Sequence, residues 1–117
     1  MQNAQDKHIT NISGIENFTD LAYLNLSNNQ ISDIEPLKGL TNLISLNLNT
    51  NQINNIEPLK GLIKLTDLDL AVNQISDIDP LTGLTNLAKL NLDSNQIKDY
   101  SVLCLYYENP EDINIIF

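Results

Sequence analysis

Tryptophan is absent from this chain of 117 residues, and histidine, cysteine and methionine each occur once. The lone Cys104 excludes an intramolecular disulfide and a paired-cysteine zinc site, and leaves the redox compartment open. The lone His8 stands in a polar segment with no sequence-local partner for Cys104, so no thiol–imidazole pair is in view. Basic residues are scarce, six against fifteen acidic, for a net charge of −9. That balance disfavours nucleic acid and anionic membranes as partners. No apolar run approaches the roughly 20 residues that membrane insertion needs. The opening MQNAQDKH lacks the apolar stretch of a signal peptide. There is no glycine-rich phosphate loop and no EF-hand spacing. A catalytic residue, a cofactor and a metal centre are therefore not expected.

What is abundant is asparagine, and it recurs. Leu24, Leu46, Leu68 and Leu90 stand 22 residues apart, as do Leu26, Leu48, Leu70 and Leu92, and Asn29, Asn51, Asn73 and Asn95. Phe18, Leu40, Leu62 and Leu84 mark the starts of four units, each reading LxxLxLxxNxI. Leu68 and Leu70 alternate with period two, which predicts a short strand with both leucines inward and Asp67, Asp69 and Ala71 outward. After the Asn, apolar residues come every third position (Ile75, Ile78, Leu81, Leu84), a spacing suited to 3₁₀-type turns. Pro36, Pro58 and Pro80 bias their predecessors to extended backbone. Gly39, Gly61 and Gly83 follow and are expected to permit the turn into the next unit. Each unit is thus one coil of a solenoid, a strand on one side and a tight return on the other. Four divisions follow: a polar leader at 1–8, an N-terminal half repeat at 9–17 whose strand half is missing, four repeats over 18–103, and a closing segment at 104–117. Cys104 reads as a small buried hydrophobe of the last coil. Ile113-x-Ile115 reads as a final strand against Leu90 and Leu92, one residue beyond the positions 112 and 114 where the period puts it.

Asn29, Asn51, Asn73 and Asn95 fall where the chain leaves each strand and turns inside the coil. An amide offers donors and an acceptor, and buried polar groups need partners, so these four are expected to form a structural ladder between coils. Gln30, Gln52, Gln74 and Gln96, one position on, belong at the surface. Asn47 and Asn49 alternate with the leucines and face solvent, so Asn47→Ala is expected to be harmless where Asn51→Ala is not. The acidic residues of the return side, Asp33, Glu35, Glu57, Asp77, Asp79 and Asp99, read as a solvated face.

The outward strand positions vary where the inward ones do not: Tyr23, Ser45, Asp67 and Lys89 in one row, Ser27, Asn49, Ala71 and Asp93 in another. A varied surface on a rigid frame suits recognition, with unselected drift as the bland alternative. Candidate contacts are Tyr23, Ile44, Asp67, Asp69, Lys89 and Asp93, with Tyr23 and Ile44 as apolar anchors. Asp67, Asp69 and Asp93 make the best oxygen set for a cation, but Asp67 faces Lys89 and is expected to pair with it instead.

The stretches LTNLISLNLNTNQINNIEPLKG and LTNLAKLNLDSNQIKD resemble internalin-type leucine-rich repeats, the 22-residue class of bacterial surface and secreted proteins; the likeness runs from residue 9 to about 103. It implies an α/β-type leucine-rich repeat solenoid, a curved right-handed horseshoe with short parallel strands on the concave face and turns and 3₁₀ segments on the convex one. It also implies a non-enzymatic module that binds a protein ligand on the concave sheet, at the cell surface or after secretion. The intracellular regulator type, which docks on an enzyme, is similar too, and a cytoplasmic location stays open. The apolar solenoid ends are expected to favour self-association.

Overall fold

The computed structural model describes residues 2–106 and 113–117, with residues 104–106 as backbone only. The side chain of Cys104, read as buried, lies outside the described residues. Six strands form one parallel sheet in sequence order: β1 (Gln2–Asn3), β2 (Tyr23–Asn25), β3 (Ser45–Asn47), β4 (Asp67–Asp69), β5 (Lys89–Asn91) and β6 (Asn114–Ile116). Leu24, Leu46, Leu68 and Leu90 stand opposite one another across successive strands. They are buried together with Leu26, Leu48, Leu70 and Leu92 in a single core. The period of 22 is therefore one full circuit of the chain, and each coil packs on the next through identical positions. This is the concave-sheeted leucine-rich repeat solenoid.

The returns are 3₁₀ turns at Ile15–Asn17, Glu35–Leu37, Glu57–Leu59 and Asp79–Gly83. Pro36, Pro58 and Pro80 sit in their first turns, where a missing N–H leaves no helical bond unmade. Asp33, Asn55 and Asp77 receive the N–H of the residue two further on at 2.9, 3.0 and 2.9 Å, and Asp99 receives that of Ser101 at 2.9 Å. Hydrogen bonds to the Ser101 side chain and backbone hold the Asp99 carboxyl below its usual range. Glu35 and Glu57 pair with Lys38 and Lys60, both at 2.7 Å, and those hydrogen bonds raise the two lysine pKa values. The return side is thus more than a solvated face, since its column of Asp and Asn at 33, 55, 77 and 99 ties down the entry to each turn.

Three expectations are corrected, and Phe18 departs from its column. The half repeat does have its strand: Gln2 stands opposite Leu24 and Asn3 opposite Asn25. The polar leader holds it unrecognised because Gln2 and Ala4 occupy the two positions that are leucine in the later coils. Phe18, the counterpart of the fully buried Leu40, is 61% exposed, because no earlier return covers it among the described residues. Ile115, not Ile113, stands opposite Leu90, two residues beyond the expected register. Here Val102 and Leu105 replace the proline and glycine of the other returns, and the chain forms a helix, α1 (Ser101–Tyr106). An α-helix rises about 1.5 Å per residue against about 2.0 Å for a 3₁₀ turn, so the last return needs more residues.

The third concerns glycine. Of the glycines only Gly14 has a positive φ, 102°, and a Cβ at Gly39 or Gly61 would meet nothing within 4 Å. No left-handed turn is made there. Gly61→Ala should therefore leave the fold intact and raise its stability by about 0.5 kcal/mol through the unfolded chain; a lowered urea midpoint would show that the turn needs the glycine.

Candidate functional site

The four ladder asparagines lie directly beneath the sheet's exit. Asn51 donates through Nδ2 to the carbonyl of Leu26 in the preceding coil at 3.1 Å and to that of Leu48 in its own at 3.0 Å. Its Oδ1 accepts the N–H of Ile31 at 3.0 Å. Asn73 and Asn95 repeat the pattern one and two coils on. Asn29 does so towards the first coil, where Ala4 supplies the carbonyl and Lys7 and Ile9 the N–H groups. All four side chains bond backbone through both the amide NH2 and the oxygen. The glutamines beside them are exposed.

A second ladder runs on the concave side. Asn25, Asn47, Asp69 and Asn91 end their strands, and each Oδ1 accepts the N–H two residues later, at 3.0, 3.0, 3.0 and 3.1 Å. These side chains close the strand exit before the backbone turns left-handed at Asn28, Thr50, Val72 and Ser94. Asn47 is therefore no bystander, contrary to the expectation. Asn47→Ala should cost about 1 kcal/mol, the value of one part-buried hydrogen bond, read as a small fall in the urea midpoint. The clue was available in the sequence: positions 25, 47, 69 and 91 hold Asn or Asp in every coil.

Asp69 is drawn into the same framework. Its carboxylate accepts the Ala71 N–H and also the Asn49 amide, at 3.2 and 3.3 Å. Ile44 is half-buried, and its carbonyl takes the N–H of Thr66 at 2.8 Å and of Asp67 at 3.2 Å. Ala71, expected to face water, is only 3% exposed.

The remaining candidates are uncommitted. Tyr23, Ser45, Asp67 and Lys89 stand opposite one another in a single row across β2 to β5, a span of about 14 Å at the usual strand spacing. Asp67 faces Lys89 as expected, yet among the described residues the only ion pairs within 4.0 Å are the two on the return side. The pairing is not made; an exposed lysine gains too little from such a contact to give up its freedom. Tyr23 is 49% exposed, and Lys89 and Asp93 are exposed. Among the described residues no group of three His, Cys, Asp or Glu side chains is placed to hold a metal ion, and no helix is long and apolar enough to cross a membrane.

Comparison with known proteins agrees with this architecture. The family profile Leucine Rich repeats (2 copies) matches residues 3–39, 19–61 and 63–104. The solved structure of the internalin InlF from Listeria monocytogenes is similar at 40% identity and a TM-score of 0.86, over 94% of this chain and 32% of that one. Internalin C2 of the same organism is similar at 38% identity and a TM-score of 0.84, over 98% of this chain and 48% of that one. A leucine-rich repeat protein of Leptospira interrogans follows at 31% identity and a TM-score of 0.79, over 94% and 29% of the two chains. The chain thus spans about a third of InlF and about half of internalin C2. No curated protein sequence matches. Coil for coil, with its 22-residue period, asparagine ladder and six-stranded parallel sheet, the chain belongs to the internalin-type leucine-rich repeat family.

Proposed function

We propose that this chain is a non-enzymatic interaction module that binds a protein ligand on its concave sheet face. Tyr23, Asp67, Lys89 and Asp93 make the principal contacts, flanked by Ile44 and Asp69. The observation that carries this reading is the row Tyr23–Ser45–Asp67–Lys89: an aromatic ring, a carboxylate and an ammonium on one rigid sheet, none of the three engaged by the fold itself. Aromatic anchors beside desolvatable charges are what hot spots are made of. The resemblance to the Listeria internalins supports a bacterial protein that acts outside the cytoplasm, as an adhesin at the cell surface or after secretion.

A photocrosslinking amino acid placed at position 67, or at Asn54 on the return side as a control, tests this. With extracts containing candidate partners, the concave position should give a discrete adduct that unlabelled protein competes away and that Tyr23→Ala abolishes. Equal adducts from both positions would overturn the reading.

Self-association through the solenoid ends belongs to the same proposal. At the β1 end a cavity of about 410 Å³, lined in part by Ile9, Ile12, Ile15, Leu21, Leu24 and Leu26, opens beside the exposed Phe18. A sedimentation coefficient that rises with concentration supports it; a monomer at every concentration removes it.

A further inference from the structure

Among the residues that take a left-handed step after a strand, Val72 alone is apolar. Each coil takes a left-handed backbone step after its strand, at Asp6, Asn28, Thr50, Val72 and Ser94, with φ between 56° and 60°. Asp and Asn visit that region readily, through short polar side chains that bond locally. Thr50, though β-branched, binds its hydroxyl to Asn49 Oδ1 at 2.6 Å. Valine has no such recourse. Its two γ-carbons crowd the backbone at positive φ, which makes a β-branched residue there a true outlier. Packing does not offset the strain either, since Val72 is 45% exposed. Strain held without a structural return points to a role at the surface.

Its surroundings say what that role is. The Val72 N–H donates to the carbonyl of Asp93 at 2.9 Å, so the two residues are neighbours on adjacent coils. The Asp93 carboxylate is exposed and, among the described residues, makes no hydrogen bond or ion pair. An open apolar surface beside an uncommitted anion complements a lysine or arginine side chain, whose methylenes seek apolar cover while the cation seeks a carboxylate. We infer that Val72 and Asp93 form a specificity-determining subsite for a basic side chain, so that the partner presents a cationic segment to the concave face. The net charge of −9 favours the same class of partner. This rests on the concave-face reading and narrows it.

Val72→Asn tests it, because asparagine suits the left-handed step and removes the apolar surface. Random peptides displayed on phage are panned against the wild-type protein, and the enriched peptides are then titrated against the variants. Enrichment of lysine or arginine beside apolar residues is expected. Val72→Asn and Asp93→Asn should each weaken binding about tenfold, while Val72→Asn raises Tm by about 4 °C. The gain in stability excludes misfolding as the reason for lost binding. Unchanged binding by Val72→Asn, an unchanged or lowered Tm, or panning that enriches no basic peptides would each overturn the inference. If Tyr23→Ala and Lys89→Ala weaken binding and Val72→Asn does not, the concave face survives and the subsite falls. If no concave substitution has an effect, the concave-face reading falls as well.

Discussion

Asn51→Ala should lower the free energy of unfolding by about 1–3 kcal/mol, the cost of leaving one buried backbone group unpaired. The substitution orphans the Ile31 N–H and removes one of two amide donors from each of the Leu26 and Leu48 carbonyls, which keep Asn29 and Asn73. Two of those groups belong to the preceding coil, so the damage falls on the interface between coils. In a solenoid that is where cooperativity resides, because each coil touches only its neighbours. The loss should be smaller for Asn95→Ala, whose side chain is only half-buried and whose orphaned groups water can reach. Urea denaturation of both variants reads the difference; midpoints equal to wild type would remove the ladder from the account.

Deletion of residues 113–117 should have a comparable or larger effect. β6 covers Leu90 and Leu92 at the end of the stack, and the Leu92 N–H donates to the Ile116 carbonyl at 2.6 Å. Phe117 stacks edge-on against Tyr100, with ring centroids 4.8 Å apart, and so pins the strand to the last return. Without this strand the core leucines of β5 meet water and its backbone becomes an open, apolar edge, which is a template for association. The truncated chain should melt well below the intact one and sediment as larger species. A monomer with an unchanged Tm would show that β6 does not close the solenoid.

The parts of the fold legible in the sequence were those carried by repetition. Leu24 and its three counterparts fix a circuit length, and a circuit that buries the same positions each time admits one architecture. Asn51 was legible for the same reason, since an amide that recurs among core leucines has to be satisfied inside. What escaped was carried by single residues. β1 was hidden because Gln2 and Ala4 break the apolar pattern, although pairing with β2 through the backbone does not depend on side chains. The register of β6 was hidden because it depends on α1 forming where proline and glycine are missing. At the candidate site, the outward direction of Asp67 and Lys89 followed from alternation, but their failure to pair did not. The strain at Val72 was invisible, because valine is the last residue that composition would assign to a left-handed step.

The central claim is a division of labour: inward leucines and asparagines make the solenoid, and the outward row on the sheet is left to recognition. The triple variant Tyr23→Ala, Asp67→Asn, Lys89→Ala tests it when unfolded in urea beside Asn51→Ala. The triple variant should unfold at a midpoint indistinguishable from wild type, and Asn51→Ala at a markedly lower one. A fall in the triple variant as large as that of Asn51→Ala would mean that the concave row holds the fold together, and would contradict the account.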